Sequence, residues 1–223
     1  MENSSTVQEI IQTLSAARFS TYAKAATDDN HALSLYQWNI EISKAIFGVL
    51  GCCEIALRNT ISAALQAQYG SQWAWHTGFE RSLPSPKHGY KPREALIEAR
   101  KNTNDINNVI AKLNFAFWQH MLTARHDDRI WSAQFYAVFC GINTPANLAK
   151  DRSDLFKNTE HLRRLRNRIA HHEPIFNQNL AHSHQVAINT LQACSPALAD
   201  WVQNWQNITF LLNGKPSPNS KPK

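Results

Sequence analysis

The sequence has few of the residues that build cross-linked, metal-bound or membrane-spanning proteins. Its four cysteines include no C-x-x-C pair and two of them are adjacent, which suits neither a disulfide framework nor a structural zinc site. No apolar run approaches the roughly 20 residues that a membrane-spanning helix needs. The opening segment MENSSTVQEI lacks the basic and apolar regions of a signal peptide. These absences predict reduced thiols and a cytoplasmic protein without a membrane partner.

Glycine and proline are scarce as well, with seven and nine residues among 223, and the prolines cluster where helices are expected to end. No stretch of any length alternates apolar and polar residues as a half-buried strand does. Apolar residues recur instead at three- and four-residue spacing, which predicts helices over 6–19 and 33–69. Glycines and prolines over 71–92 predict a loop insertion. The fold class predicted from this pattern is all-α.

Two dipeptides and the C-terminal residues mark further boundaries. Thr144-Pro145 and Ser195-Pro196 each combine a polar N-cap residue with a following proline, a pattern typical of helix starts. The last residues, GKPSPNSKPK, predict a disordered basic tail over 214–223. Because the sequence contains no internal repeat and no clear linker, we expect one all-helical domain over residues 1–213.

Positive charges exceed negative charges by six, and the sequence pI is about 9.3. This excess favours a polyanionic partner such as RNA, DNA or anionic lipid. The charge is densest in LRRLRNRIAHHEPIF (162–176), where four arginines within six positions precede two histidines. Arginine binds phosphate oxygens through paired N–H groups, and histidine exchanges a proton near neutral pH. The segment predicts a site that holds and cleaves a phosphodiester, with a merely solvated helix face as the alternative.

The geometry of this segment raises a difficulty for one chain acting alone. It is expected to end a helix that runs from about Ser153 to His172, because Pro174 disfavours helical geometry at the residue before it. At about 100° per residue, Arg166 and His171 lie about 140° apart, so one straight helix would not bring them to one phosphate. Either the last turn is distorted, or a second copy of the helix supplies the missing group. The predicted buried stripe consists of Leu155, Leu162, Leu165 and Ile169.

Four blocks of the sequence carry a resemblance to a known family. Arg166-Asn167-Arg168-Ile169-Ala170-His171 fits the R-x4-6-H motif in its common R-N-x-x-x-H form and resembles the HEPN superfamily. The longer string LRNRIAHHEPI is similar to the Abi-like (abortive infection) branch of that superfamily. The other three blocks are LYQWNIEISKAIF (35–47), CEIALRNTI (53–61) and IAKLNFAFW (110–118). R-x4-H alone is a weak signal, but the four blocks in order over roughly residues 10–210 make a strong one.

The resemblance implies a HEPN-like helical bundle with extra helices and a homodimer whose two motif helices face each other across a cleft. Many members of the superfamily are metal-independent endoribonucleases that act as toxins or antiviral effectors, so RNA is the implied substrate and no cofactor is expected. Arg166 would stabilise charge on the transition state, and Asn167 would orient the phosphate. His171 would act as general base or acid on the ribose 2′-OH or the leaving 5′-oxygen.

Several other residues are candidates for supporting roles. His172 is the rival for the catalytic histidine because a five-residue spacer also fits the motif, although its position near the leucine stripe favours a structural role. Glu173 would either orient a histidine or pair with an arginine. Glu54, Arg58 and Asn59 are candidates to line or brace the cleft, with an ion pair between Glu54 and Arg58 on the helix surface as the alternative. The arginines that would either contact RNA phosphates or keep the helix face solvated are Arg163, Arg164 and Arg168. Without H-E-x-x-H or a carboxylate–histidine set at ligand spacing, no metal site is expected.

The main alternative is a non-catalytic HEPN-like module that binds RNA or a protein without cleaving it. For a toxin, the resemblance also implies an antitoxin, which is an RNA or a protein. Toxins silenced by nucleotidylation resemble R-x4-H-x-Y, with a tyrosine two residues after the motif histidine. Glu173 stands at that position here, which favours another kind of antitoxin.

Overall fold

The computed structural model describes residues 4–143 and 146–217, and all regular elements within these ranges are helical, which confirms the predicted all-α class. In the described residues, no helix has the length and apolar character needed to cross a membrane. The α-helices are α1 (Ser4–Thr13), α2 (Ala16–Ala23), α3 (Asp29–Tyr69), α4 (Thr77–Ser82), α5 (Pro92–Arg100), α6 (Ile106–Lys112), α7 (Phe115–Met121), α8 (Ser132–Val138), α9 (Leu148–Ala170), α10 (Leu180–Cys194), α11 (Pro196–Trp205) and α12 (Ile208–Asn213).

The 41-residue helix α3 is the central element of the fold. It begins where the Asp28 side chain accepts a hydrogen bond from the backbone N–H of His31, and it ends at Gly70, whose φ of 85° suits glycine. The helix predicted over 33–69 is therefore confirmed and is one turn longer at its start. Its buried face packs against α2, α7, α8, α9, α10 and α12.

The N-terminal region differs from the single helix predicted over 6–19. The chain forms α1 and α2, which are separated at Ser15, a non-glycine residue with a φ of 75°. The break turns the second helix so that Phe19 and Tyr22 are buried against the core. Tyr22 contacts Tyr36 of α3 edge-on, with ring centroids 5.0 Å apart. Neither proline nor glycine marks this break, so the periodic pattern alone did not reveal it.

The segment predicted as a loop over 71–92 is partly helical, and that prediction was wrong for its first half. Residues Trp73–Trp75 form a 3-10 turn and α4 follows it, so the longest stretch of this segment without helical structure is 83–91. Trp73 is fully buried and donates its indole N–H to Ser62 Oγ of α3 at 3.1 Å. Burial of this aromatic side chain, rather than local helix propensity, fixes the segment onto the core.

Helix α9 begins at a different residue from the one predicted. Its N-cap is Asn147, whose side chain accepts from the backbone N–H of Lys150, so the helix starts before Ser153. Buried Arg152 holds its first half by an ion pair with Asp127 at 2.6 Å and a hydrogen bond to the Leu122 carbonyl at 3.0 Å. The predicted stripe is confirmed, with three buried leucines and a partly buried Ile169.

The remaining boundary predictions have mixed outcomes. Ser195 is the N-cap of α11 and Pro196 is its first residue, as predicted, whereas Thr144-Pro145 lies outside the described residues. A disordered tail was predicted over 214–223. The structure describes residues 214–217 of this segment, and 218–223 lie outside the described residues. Lys215 Nζ donates to the Phe176 carbonyl at 2.7 Å and lies 5.4 Å from the Trp38 ring centroid.

Gly141 lies where the chain after α8 meets the end of α10. Its N–H donates to the Ala193 carbonyl at 3.2 Å, and a Cβ at this position would lie only 1.7 Å from the Gln192 carbonyl oxygen. No rotamer change can relieve a clash between a Cβ and backbone atoms.

Gly141→Ala should therefore lower the free energy of unfolding by about 2 kcal/mol or more, because the backbone of α10 must move. Urea denaturation followed by circular dichroism measures the change. Gly48→Ala is the matched control: a Cβ at this position of α3 would lie 3.8 Å from the Trp205 side chain, an ordinary contact, so alanine should stabilise the helix by about 0.5–1 kcal/mol. Equal midpoints for the Gly141 variant and the wild type would contradict the close approach.

Candidate functional site

Helix α9 ends in a hydrogen-bonded turn two residues earlier than predicted. His171 is the C-cap, with φ and ψ of −92° and 10°, and His172 adopts the left-handed conformation with a φ of 56°. The N–H of Glu173 donates to the Arg168 carbonyl at 2.9 Å, and the N–H of His172 donates to the Ile169 carbonyl at 3.0 Å. These are the two bonds of a Schellman motif, in which glycine usually occupies the left-handed position.

Contacts around this turn hold His172 in its unfavourable conformation. Arg168 donates to the Pro174 carbonyl at 2.8 Å, and its Nε lies 3.4 Å from Glu173 Oε2. On the core side, the Asn39 side-chain oxygen accepts from the N–H groups of Ile175 and Phe176. Arg168 and Glu173 were predicted as an RNA contact and a supporting residue, and the structure engages both in closing this turn.

Arg166 and Asn167 line a groove between α9, α3 and the chain around the start of α7. The groove encloses about 500 Å³, and its lining is mostly polar. Glu54 faces Arg166 across it, with Oε2 3.9 Å from Nε and side-chain exposures of 22% and 40%. We call this site the polar groove; its polar side chains are Glu54, Tyr90, Lys112, Asn114, Arg163, Arg166 and Asn167.

Two hydrogen bonds between side chains fix the walls of the polar groove. Arg163 Nε donates to Oε1 of buried Gln119 at 2.7 Å, and the Tyr90 hydroxyl donates to Asn114 Oδ1 at 2.8 Å. The Tyr90 ring also lies 4.9 Å from the ring of His120. Burial and the positive charge of Arg163 lower the pKa of His120, which favours a neutral imidazole behind the groove.

The remaining predicted site residues do not line the polar groove. His171 is exposed at the end of α9, and Asn59 is exposed on α3. Arg58 is half-buried, and its buried Nε has no hydrogen-bond partner among the described residues. Arg164 forms an exposed ion pair with Glu160 at 2.6 Å, a contact of small energetic weight.

His172 and Glu173 instead line a second cavity of about 480 Å³, on the side of α9 that faces α2 and the first half of α3. Its apolar walls include the side chains of Tyr22, Tyr36, Ile40 and Phe47, and we call it the aromatic cavity. The chain therefore passes from the polar groove to the aromatic cavity within one turn, and His171 is exposed between the two.

The polar groove has the chemistry of an anion-binding site, and none of its lining side chains is a histidine. It presents three cations, Arg163, Arg166 and Lys112, against one carboxylate, Glu54. Arginine N–H groups held in place can bind phosphate oxygens without reorganising. Because α9 stays helical through Ala170, the backbone places His171 about 140° around the helix axis from Arg166, and His171 does not line the groove.

Four residues of the groove and its wall were not predicted as site residues from the sequence: Tyr90, Lys112, Asn114 and Gln119. One signal was available for Asn114, since an asparagine before the aromatic run FAFW is typical of an N-cap, and its side chain does accept from the Phe117 N–H. No sequence pattern places Tyr90 beside it, because the two are joined only by the packing of separate segments. In the described residues, no group of three or more histidine, cysteine, aspartate or glutamate side chains is placed to hold a metal ion.

The turn after α9 generates a stability prediction. His172→Gly should raise the free energy of unfolding by about 0.5–1 kcal/mol, because glycine adopts a φ of 56° without the steric cost of a Cβ. His171→Gly is the matched control and should lower it by a similar amount, since φ is negative there. Chemical denaturation of both variants measures the difference. Destabilisation by both to the same extent would contradict the left-handed conformation of His172.

Comparison with known proteins gives one match. The sequence model of the Abi-like proteins aligns with residues 7–177, about three quarters of the chain, and this range includes α3, the polar groove and the whole motif segment through Phe176. No curated protein and no solved structure matches the chain. The chain belongs to the family of Abi-like proteins.

Proposed function

We propose that this protein is a metal-independent endoribonuclease of abortive-infection type, acting as a HEPN-like homodimer with composite sites. Membership of the Abi-like family supports a role in defence against phage. The apolar side chains buried by its helices form one cluster, which supports a single domain over residues 1–213. The RNA target is held by arginines and cut through its own 2′-OH.

One observation carries the proposal: the polar groove contains Arg166 and Asn167, while the exposed His171 of the same chain lies outside it. Phosphodiester cleavage needs a cation and, at the same phosphate, a group that exchanges a proton near neutral pH, which histidine does best. A second copy related by a two-fold axis meets this need, because it brings His171 of the partner subunit to the groove. Each of the two equivalent arrangements then takes its arginine from one chain and its histidine from the other.

The face of α3 beside the groove suits such a partner. Ile55 follows Glu54 and is 47% exposed, so its apolar side chain is available to a partner. Gly51, one turn earlier, has no atom within 4 Å of the place where a Cβ would lie. A glycine with open space beside it lets another helix approach closely. We therefore place the two-fold contact along Gly51 and Ile55.

The reaction follows from the groups that meet in the composite site. His171 takes the proton from the ribose 2′-OH, and the resulting oxygen attacks the adjacent phosphorus. The P–O5′ bond breaks, the leaving 5′-oxygen takes a proton from water, and the His171 imidazolium returns its proton to water. The products are a 2′,3′-cyclic phosphate and a 5′-hydroxyl, so DNA, which lacks the 2′-OH, is not cut.

Other groove residues have positioning roles in this mechanism. Arg166 stabilises the charge that builds on the non-bridging oxygens, and Asn167 donates a hydrogen bond to the same phosphate. Glu54 restrains the Arg166 guanidinium from a distance of 3.9 Å. Arg163 and Lys112 hold neighbouring phosphates of the strand. Activity of this kind harms the host cell as well, which calls for an RNA or protein antitoxin.

The direct test is incubation of the purified protein with single-stranded RNA in the presence of EDTA. We expect cleavage that leaves 2′,3′-cyclic phosphate ends. His171→Ala and Arg166→Ala should each reduce the rate by about 100-fold or more. His88→Ala is the matched control, since His88 is an exposed histidine that lines neither the polar groove nor the aromatic cavity, and it should retain most of the activity.

Intact RNA after long incubation would refute the ribonuclease proposal. If that RNA were nevertheless bound, and Arg166→Ala released it, the protein would be a binding module. Equal cleavage by the wild type and the His171→Ala protein would assign the activity to another group or to a contaminant.

The composite arrangement is tested by complementation between two inactive variants. Mixing Arg166→Ala and His171→Ala proteins under subunit exchange should restore about a quarter of wild-type activity. Half of the dimers are then mixed, and each mixed dimer has one intact arrangement of two. Activity is measured with a fluorescently labelled RNA.

Introducing Ile55→Asp into both variants is the control, because a carboxylate at the two-fold contact should leave monomers that give no rescue. Sedimentation velocity confirms the state of each protein. If the mixture stays inactive although mixed dimers form, each chain must use its own arginine and histidine, and the composite site is refuted.

A further inference from the structure

The aromatic cavity has the dimensions and walls of a ligand site. Its volume of about 480 Å³ falls within the roughly 300–1,000 Å³ of small-molecule sites. Tyr22 and Tyr36 form an edge-on aromatic pair in its wall. At its mouth, Ile40 and Phe47 are 43% and 44% exposed. These two apolar side chains lack a covering element among the described residues.

Polar groups surround these apolar walls. Arg18, Lys44 and His172 line the cavity, and Lys44 Nζ is also 3.0 Å from Glu41 Oε2. The one carboxylate of the lining, Glu173, is offset by Arg168 at 3.4 Å. The buried Asn39 uses its oxygen to accept two backbone N–H groups, which leaves its amide NH2 as the group that can serve a ligand.

We propose that the aromatic cavity binds one nucleobase, with the adjoining phosphate held by Arg18 and Lys44. A nucleobase has two flat faces that stack on aromatic rings and an edge that accepts hydrogen bonds, here from Asn39. Its phosphate is anionic and matches the cations at the mouth. A purely apolar ligand would make no use of the charges of Arg18 and Lys44.

The position of the cavity makes an RNA strand the source of this base, an assignment that rests on the proposed ribonuclease function. His172 and Glu173 line the cavity and directly follow His171 in the chain. A base bound in the cavity therefore fixes which phosphodiester linkage reaches the proton-transfer group. The cavity thereby determines the cut-site preference of the enzyme.

The phenol of Tyr22 is compatible with a phosphate nearby. Burial, together with the neighbouring Tyr36, raises its pKa to about 12, so it stays neutral in the physiological range. A neutral phenol offers a hydrogen-bond donor and does not repel an anion.

The test measures the binding of labelled 2′-O-methyl hexanucleotides by fluorescence anisotropy, since these strands lack the attacking 2′-OH and cannot be cut. We expect one base to be preferred among the four homopolymers. Phe47→Ala and Arg18→Ala should each weaken binding of the preferred strand about 10-fold. Phe210→Ala is the matched control, because Phe210 is 77% exposed on α12 and does not line the cavity.

Free nucleoside monophosphates test whether the bound base belongs to an RNA strand or to a free nucleotide. Displacement of the hexanucleotide by the preferred monophosphate from the wild type, with a weaker effect on Phe47→Ala, supports a site for a base of the strand. A monophosphate that binds through Phe47 while no hexanucleotide binds would assign the cavity to a free nucleotide and overturn the RNA assignment. Unchanged affinity in both Phe47→Ala and Arg18→Ala would overturn the site altogether.

Failure of this inference and failure of the proposed function have different signatures. Base-selective binding that depends on Phe47, combined with ordinary RNA that stays intact, refutes the nuclease and keeps the nucleobase site. Cleavage of ordinary RNA by the wild type and Phe47→Ala proteins at the same positions and rates keeps the nuclease and refutes the nucleobase site.

Discussion

The packing of α9 against α3 is the constraint on which the rest of the structure depends. The two helices run in opposite directions, since Arg166 lies opposite Glu54 and the turn after α9 lies opposite Asn39. Leu162 and Leu165 are buried on α9, and each contributes about 1.5–3 kcal/mol through its burial. This burial fixes the rotation of α9 about its axis. The direction of its arginines is therefore a consequence of where its leucines are buried.

The turn after α9 connects the polar groove to the aromatic cavity. A residue other than glycine in the left-handed conformation is unfavourable, and here it persists because Arg168, Glu173 and Asn39 hold the backbone on both sides. The turn places His171 in solvent and directs His172 and Glu173 toward the aromatic cavity. Both proposals depend on it: the nuclease requires the exposed imidazole, and the nucleobase site requires the wall beside it.

The elements predicted well were those whose pattern is long. The 41 residues of α3 repeat their apolar spacing over many turns, so the existence and approximate extent of this helix followed from periodicity. Two shorter features were missed. The break at Ser15 has neither glycine nor proline, and α4 has only six residues, so neither left a readable pattern. Trp73 is held by a hydrogen bond to Ser62, a contact that helix periodicity does not describe.

The sequence by itself determined the helical class, the family and the motif in which Arg166, Asn167 and His171 share one segment. It also fixed the angle between Arg166 and His171, because positions on one helix are related by a constant rotation. Only the tertiary structure decided that Glu54, Tyr90 and Asn114 line one groove with Arg166, and that His171 stays outside this groove. These residues belong to separate elements, and the distances between them follow from how buried side chains pack, which no local spacing records.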